Sequence, residues 1–360
     1  MLVIVALLAL GLFWCYRTYP RIGHWLYDAS SALEARLYQL KKHPVAIDGM
    51  TLATYMGGPS DAGQTLLLLH GYSADKSIWL RFARHFSNDC RVLIPDLGGH
   101  GATGFDASQD YSIPAQGRRL LQLLDACQVA RVHLVGNSMG GYVAAWLAAT
   151  CPERVASLAL FDPAGVSAPE PSDLERLLAA GRNPFLIDTR ADFDAFYGMT
   201  MADPPWVPQV VLAAIAERYQ RRRLQLEKIF DDFHGSAPME PLLGSIQAPT
   251  LLLWGREDRL LHASSALLDQ GHPSVAGGNL ARHRPYAHGR APHPQRPVVS
   301  PVPATGSPAQ QPLNSPARAW SARPDTRRPH GSAFICRMKF RGNFVCQRPR
   351  RRTESAPLHP

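Results

Sequence analysis

Cysteine is scarce in this chain, and the placement of the cysteines excludes two classes of protein. The 360 residues contain six cysteines, and none stands at the spacing of a zinc site or of a disulfide framework. The sequence also holds no phosphate-binding glycine loop, no metal-ligand motif and no internal repeat. We therefore expect a globular protein that needs no metal and no other cofactor, with thiols that stay reduced.

Acidic residues are nearly absent from the last quarter of the chain. Residues 271–360 hold 14 Arg and 1 Lys against two acidic residues, and they hold 15 of the 31 prolines. The preceding part has 23 basic and 27 acidic residues, so the net charge of +9 comes from the end of the chain. A basic, proline-rich segment without apolar periodicity cannot bury a core, which predicts a disordered tail at 269–360. A nucleic-acid-binding arm is the alternative interpretation, and we expect no such partner.

A glycine-rich turn in the middle of the chain carries the strongest catalytic signal. Residues 132–135 predict a buried strand, the sequence Gly-Asn-Ser-Met-Gly predicts a sharp turn, and 142–149 predict a helix. Strand, Gly-x-Ser-x-Gly and helix together form the nucleophile elbow of serine hydrolases. Small residues at Gly136 and Gly140 let the strand and the helix approach each other, and Ser138 is the predicted nucleophile.

A second motif supplies groups that stabilise a negatively charged oxygen. Residues 65–69 predict a buried strand, which ends in His70-Gly71-Tyr72. An oxyanion hole takes one N–H from the loop after this strand and one from the residue after the nucleophile, so the expected donors are Tyr72 and Met139. Chains with this elbow have the order serine, acid, histidine; His70 precedes the serine, and we interpret it as structural.

Two carboxylates that follow predicted strands are candidates for the catalytic acid. Asp258 ends the strand-and-turn segment 248–258 and is the expected catalytic acid, which would hold a histidine in one tautomer. Asp162 also follows a predicted strand and is the alternative acid. Asp96 and His100 lie in a glycine-rich turn, where such side chains more often bond to nearby backbone groups.

The catalytic histidine cannot be assigned from the sequence. His262 is too close to Asp258 in the chain, and the later candidates lie where no strand or helix is predicted: His272, His283, His288 and His293. Read one nucleotide forward, the codons for 283–292 permit Ile-Gly-His-Thr-Pro-Met-Val-Glu-Arg. Two interpretations follow: the tail is translated out of frame, or the chain lacks its base.

These motifs, in this order and spacing, resemble the α/β-hydrolase superfamily. The resemblance covers residues 1–266 and rests on four segments: 69–71, 95–101, 136–141 and 254–258. Within the superfamily, 73–83 and 203–208 are similar to the branch of monoacylglycerol lipases and bacterial esterases that carries an N-terminal membrane anchor. The pattern Gly-His-x-Pro-Met-x-Glu-Arg, which the shifted frame permits, is similar to the surroundings of this family's catalytic histidine.

The resemblance implies an α/β fold with a mostly parallel central sheet flanked by helices. The core would comprise 45–166 and 246–268, and a helical cap would occupy 167–245 between them. Because the composition changes after 246–268, we expect the last strand and the C-terminal helix of the fold to be missing. That loss would leave an exposed sheet edge.

The activity implied by the resemblance is hydrolysis of an ester through an acyl-enzyme. The expected substrate is a monoacylglycerol or another short- or medium-chain lipid ester at a membrane. The same elbow is common among meta-cleavage-product hydrolases, which cut carbon–carbon bonds, so that activity is an alternative. The missing histidine favours a third possibility, a catalytically dead membrane-anchored protein.

The beginning of the chain is apolar. Residues 2–16 carry no charge, which predicts a membrane anchor at 1–20. An amphipathic pattern predicts a juxtamembrane helix at 21–44. The basic residues after the apolar run place the catalytic domain on the cytoplasmic side: Arg17, Arg21, Arg36, Lys41 and Lys42. A cleaved signal, with the domain outside the membrane, is the alternative.

Overall fold

The computed structural model covers most of the chain before the basic tail. The structure describes residues 2–201, 203–262, 264–265 and 275–280. Apart from 275–280, the predicted tail at 269–360 lies outside the described residues. The candidate histidines in that tail also lie outside them: His272, His283, His288 and His293.

Eight strands form one sheet, and most of its pairings are parallel. The strands are β1 (Lys41–Ile47), β2 (Met50–Gly57), β3 (Thr65–Leu69), β4 (Arg91–Pro95), β5 (Val132–Asn137), β6 (Val155–Phe161), β7 (Thr250–Gly255) and β8 (Val275–Leu280). Their order across the sheet is β1-β2-β4-β3-β5-β6-β7-β8. The pairs β1–β2 and β2–β4 are antiparallel, and the other five are parallel.

Helices cover the sheet and supply the cap. They are α1 (Leu2–Leu37), α2 (Leu80–Ala83), α3 (Ile113–Ala126), α4 (Met139–Thr150), α5 (Asp173–Ala179), α6 (Arg190–Thr200), α7 (Gln209–Arg221) and α8 (Arg223–His234). Short 3₁₀-helices span Lys76–Trp79, Pro152–Arg154 and Glu240–Ser245. Helices α5 to α8 all lie within the segment predicted as the cap.

The side chains of β3 are buried on both faces of the sheet. All five residues of β3 are buried. Leu67 and Leu69 belong to one hydrophobic cluster, whereas Leu66 and Leu68 belong to another, because successive side chains of a strand point to opposite faces. A parallel strand buried on both faces has this continuous apolar sequence. The predicted α/β architecture, a mostly parallel sheet flanked by helices, is confirmed.

The expectation that the last strand is missing is wrong. Strand β8 pairs in parallel with β7, from Thr250 opposite Val275 to Gly255 opposite Leu280. Its sequence, Val-Ala-Gly-Gly-Asn-Leu, contains two glycines and an asparagine, which are uncommon in strands. Backbone N–H and C=O groups make the ladder whatever the side chains are, so the strand forms without a recognisable pattern.

The N-terminal helix differs from the two predicted segments. Helix α1 runs without a break across the predicted boundary at residue 20. It stops at Leu37: Gln39 has a φ of +59°, and the N–H of Leu40 donates to the carbonyl of Ala35 at 2.8 Å, which is a Schellman ending. Strand β1 then begins at Lys41, inside the segment predicted as helical.

The membrane-spanning anchor predicted at 1–20 is not found. Over the residues that the structure describes, no helix is both long enough and apolar enough to cross a membrane. The uncharged run 2–16 has 15 residues, whereas a span needs about 20.

Candidate functional site

Ser138 occupies the strained turn that the motif predicts. It lies between β5 and α4 with φ +52° and ψ −120°, a conformation that costs a non-glycine residue energy. Backbone hydrogen bonds hold the turn: the Ser138 N–H donates to the carbonyl of Phe161 at 3.1 Å, and its carbonyl accepts from Ala164 at 3.1 Å. The side chain is partly exposed. The turn therefore presents the hydroxyl at the carboxyl edge of the sheet.

Gly136 and Gly140 are required because backbones meet at the elbow. A Cβ atom at Gly136 would overlap the carbonyl of Gly140, where α4 begins. A Cβ atom at Gly140 would overlap the carbonyls of Leu69 and His70, at the end of β3. At both positions the lack of a side chain lets β5, α4 and β3 pack backbone against backbone.

The loop after β3 lies directly against the nucleophile. A Cβ atom at Gly71 would lie 3.2 Å from the Cβ of Ser138 and 3.0 Å from Oδ1 of Asn137. No role was predicted for Gly71. The signal that could have indicated this close approach is a glycine just after a buried strand, in the loop that faces the elbow. This close approach brings Tyr72, the next residue, to the side of the serine.

Neither expected oxyanion donor has an N–H that is bonded to another of the described residues. Met139 is the first residue of α4, where the N–H has no partner within the helix. Among the hydrogen bonds of the described residues, none uses the N–H of Tyr72. Both groups can therefore donate to an oxygen beside Ser138.

The side chain of Tyr72 reaches up into the cap. Its hydroxyl donates to the carbonyl of Leu226 in α8 at 2.6 Å. Its ring lies 4.9 Å from that of Phe185, 5.6 Å from Phe230 and 5.2 Å from Phe233, measured between centroids. The segment predicted as the cap therefore packs on Tyr72 through an aromatic cluster.

Asp162 and Asp258 lie at the carboxyl ends of the neighbouring strands β6 and β7. Asp162 accepts the N–H of Gly255 at 2.6 Å; burial raises its pKa to about 7, and the charge of Asp258 adds to this rise. Burial raises the pKa of Asp258 to about 6, although the N–H groups of Leu261 and Leu260 donate to it at 3.0 and 2.8 Å. The two candidate acids are therefore close enough for their charges to interact, with Asp162 buried and Asp258 partly exposed.

His70 and His100 are bonded to backbone at this edge. The N–H of Leu97 donates to Nε2 of His70, so Nδ1 carries the proton and donates to the carbonyl of Gly71 at 2.8 Å. His100 bonds to its own loop, because its Nδ1 donates to the carbonyl of Gly98 at 3.0 Å. Burial lowers the pKa of both imidazoles, which keeps them neutral.

Asp96 takes part in a buried ion pair. It has no exposed surface, and it accepts the backbone N–H groups of Lys76 and Ala102, each at 2.7 Å. Its carboxylate also pairs with the ammonium group of Lys76. This carboxylate is fully occupied in fastening the loop after β4 to the 3₁₀-helix after β3.

No histidine in the described part of the chain is positioned as a bonded partner of the serine or of the expected acid. None of them makes a hydrogen bond to Ser138 or Asp258 within that part of the chain. His262, the nearest to Asp258 in sequence, has its Nδ1 2.8 Å from Oγ of Ser264 and its Nε2 3.8 Å from Glu170. The structure therefore places Ser138, Met139, the loop of Tyr72 and the two carboxylates at one edge of the sheet, and no described histidine is bonded to the serine or to either carboxylate.

Comparisons with known proteins agree with this geometry. The α/β-hydrolase fold family matches residues 64–237. Lipase 1 of Psychrobacter immobilis is 36% identical over 235 residues, which cover 62% of this chain and 73% of that protein. Monoacylglycerol lipase ABHD6 of Mus musculus is 26% identical over 258 residues, 68% of this chain and 75% of that protein.

A solved structure extends the likeness beyond the matched family region. A bacterial membrane phospholipase A has a TM-score of 0.69 and 35% identity, covering 78% of this chain and 91% of that one. The elbow, the fold and these relatives lead to one assignment. The chain belongs to the α/β-hydrolase fold family and is a serine hydrolase of the esterase and lipase type.

Proposed function

We propose that this protein hydrolyses carboxylic esters of lipids, with Ser138 as the nucleophile. The observation that carries the proposal is the strained Ser138 at the elbow, partly exposed and directly beside the loop of Tyr72. Strained residues of this kind cluster at active sites, where the surrounding structure enforces them. A serine hydroxyl in this position needs a base to accept its proton before it can attack a carbonyl.

The residues have the following roles in the proposed reaction. The Oγ of Ser138 forms a bond to the ester carbonyl carbon, and its proton passes to the base. The N–H groups of Tyr72 and Met139 donate to the oxygen that becomes negative. The bond to the alcohol then breaks, and the alcohol leaves with the proton from the base. Water repeats the attack on the acyl-enzyme, which releases a carboxylic acid and restores the serine.

Asp258 is the acid that would orient the base. Two backbone N–H groups, those of Leu260 and Leu261, donate to Asp258, whereas Asp162 accepts one, that of Gly255, so Asp258 is better stabilised as a carboxylate. An ionised carboxylate stabilises the imidazolium that forms during the reaction. Asp162 remains the alternative, because it lies at the same edge of the sheet.

The base in this proposal comes from outside the described residues. In the chain order serine, acid, histidine, it follows Asp258. Strand β8 ends at Leu280, and His283 is the first histidine after it. Loss of activity in His283→Ala but not His288→Ala would assign the base. If resequencing of the codons for 261–292 reads through to Gly-His-Thr-Pro-Met, the base is the histidine of that frame instead.

The proposed substrates are monoacylglycerols or other short- and medium-chain lipid esters at a membrane. The similarity to proteins named lipase and monoacylglycerol lipase supports this class, as does the aromatic cluster around Tyr72, beside the loop that contacts Ser138. Exposed apolar side chains on α1 support contact with lipid: Ile4, Val5, Leu8, Phe13, Trp25 and Leu33. Attachment through the N-terminal segment and a cytoplasmic position of the domain stay predictions from the sequence.

Steady-state hydrolysis tests the proposed function. Wild type, Ser138→Ala and the control Ser60→Ala, an exposed serine, are assayed on p-nitrophenyl butyrate, octanoate and palmitate and on a monoacylglycerol. We expect the wild type and the control to hydrolyse the esters, and Ser138→Ala to lose at least a thousandfold in kcat. Equal hydrolysis by Ser138→Ala would overturn the proposal, and no hydrolysis by the wild type would favour a catalytically dead protein.

A further inference from the structure

Helix α1 is joined to the cap by a polar network that the reaction does not explain. Arg218 of α7 donates from Nε to Nδ1 of His24 at 3.0 Å and from Nη2 to both carboxylate oxygens of Asp28 at 2.8 Å. Because Nδ1 of His24 accepts, its Nε2 carries the proton and donates to Glu217 at 2.8 Å. The guanidinium also lies 4.7 Å from the ring of Tyr27. The two helices therefore meet through specific contacts rather than through loose apolar packing.

Gly23 allows this close crossing of α1 and α7. A Cβ atom at Gly23 would overlap the backbone carbonyl of Val210 and would lie 2.9 Å from the Cβ of Ala214. A backbone carbonyl in a helix cannot move aside as a flexible side chain can. Any larger residue at Gly23 must therefore push α7 away from α1.

The same helix also contacts the loop beside the nucleophile. The Tyr27 hydroxyl donates to Oδ2 of Asp75 at 3.3 Å and lies 3.2 Å from Oγ of Ser77. Burial raises the pKa of Tyr27, and the charge of Asp75 adds to the rise, so the hydroxyl keeps its proton as a donor. Asp75 in turn caps the 3₁₀-helix by accepting the N–H of Ser77 at 2.8 Å. Tyr27 thus fastens the end of the loop that contains Tyr72.

Helix α7 contacts the other side of this loop. The hydroxyl of Tyr219 lies 2.9 Å from Oγ of Ser73, and burial raises the pKa of Tyr219, so this group too is protonated. Ser73 has a φ of +64°, a conformation that a non-glycine residue keeps only when its surroundings enforce it. Ser73 directly follows Tyr72, whose N–H is the proposed oxyanion donor.

We propose that Tyr27 of α1 and Tyr219 of α7 are positioning residues for the loop 70–75, and that the crossing of α1 and α7 at Gly23 sets their spacing. The N-terminal helix therefore controls the position of the Tyr72 N–H, although none of its hydrogen bonds among the described residues is to Ser138, Asp162 or Asp258. The catalytic part of this proposal rests on the proposed function. The structural part, that α1 and α7 fix the loop, can be measured without activity.

Two tyrosine variants test the positioning role. In Tyr27→Phe and Tyr219→Phe only a hydroxyl is lost, and Tyr38→Phe is the control, since no hydrogen bond of the Tyr38 hydroxyl is found among the described residues. A displaced oxyanion donor stabilises the transition state less and leaves substrate binding intact. We therefore expect kcat to fall about tenfold, with KM within twofold of the wild-type value. The rate of labelling by a fluorophosphonate, which forms a tetrahedral adduct, should fall in parallel.

Hydrogen exchange of the peptide that spans 70–77 provides the readout that needs no activity. Its amides are protected by defined acceptors, including the carbonyl of Gly71 for Ala74 and the carboxylate of Asp96 for Lys76. We expect exchange of this peptide to rise severalfold in both tyrosine variants and to stay at the wild-type level in Tyr38→Phe. A drop in melting temperature with unchanged exchange at 70–77 would mean a merely structural role and would overturn the proposal.

A matched pair of glycine variants tests the crossing. Gly23→Ala and Gly11→Ala lie on the same helix, but a Cβ atom at Gly11 meets nothing within 4 Å. We expect Gly23→Ala to raise exchange at 70–77 as the tyrosine variants do, and Gly11→Ala to leave it unchanged. Equal exchange in the two glycine variants would overturn the role of the crossing.

A wild type without esterase activity would refute the proposed function. The exchange data would still decide whether α1 fixes the loop.

Discussion

Replacing Asp162 by Asn should make the protein more stable at alkaline pH and change little at acidic pH. Burial and the charge of Asp258 raise the pKa of Asp162 from 3.8 to about 7. Between these values the unfolded chain has released the proton and the folded chain still binds it, so stability falls as the pH rises from about 4 to about 7. A rise of this size corresponds to a loss of at most about 4 kcal/mol in the free energy of unfolding once the carboxyl is ionised.

The substitution removes this cost and keeps the local hydrogen bond, because the Asn oxygen can still accept the N–H of Gly255. We expect the free energy of unfolding of Asp162→Asn, measured in urea, to exceed that of the wild type by about 2 to 4 kcal/mol at pH 8. At pH 4.5 the two free energies should differ by less than about 1 kcal/mol. Asp61→Asn, which makes the same charge change on an exposed side chain, is the control. A stability difference that does not change with pH would refute the assignment of a buried, partly protonated carboxyl at this site.

Two further substitutions test the packing around the site. Asp96→Asn leaves the ammonium of Lys76 buried without its counter-charge, so we expect the free energy of unfolding in urea to fall by about 3 to 5 kcal/mol. The control Asp125→Asn breaks an exposed ion pair and should lower it by at most about 1 kcal/mol. Gly140→Ala drives a Cβ atom into the backbone at the end of β3, so we expect a loss of about 2 kcal/mol or more together with reduced kcat. Gly198→Ala, whose Cβ atom meets nothing within 4 Å, should be as stable as the wild type or slightly more so; equal effects of the two alanines would contradict the close packing.

The elbow could be predicted because its signal is local. The motif places the serine between two glycines within five residues. Cβ atoms at Gly136 and Gly140 would overlap backbone atoms, which explains why the turn has small residues at these positions. The fold class could be predicted for a similar reason, since the five consecutive buried residues of β3 have the apolar sequence of a strand covered on both faces. Both inferences depend on short segments whose chemistry is complete within the segment.

The features that could not be predicted depend on residues far apart in the chain. Asp162 and Asp258 affect each other only because β6 and β7 become neighbours in the sheet. Strand β8 forms through backbone pairing with β7, which a sequence with two adjacent glycines does not reveal. The contacts of Tyr27 with Asp75 and of Tyr219 with Ser73 span 48 and 146 residues, and no local pattern could have indicated them.

Covalent labelling by a fluorophosphonate tests the central claim most directly, namely that Ser138 is the nucleophile of an ester hydrolase. The wild type and Ser138→Ala are treated with the probe, and the modified peptide is located by mass spectrometry alongside the ester assay. The account predicts one adduct, on the peptide that contains Ser138, with loss of hydrolysis in step with labelling and no adduct in Ser138→Ala. An adduct on a different serine, or hydrolysis that survives complete labelling of Ser138, would contradict it.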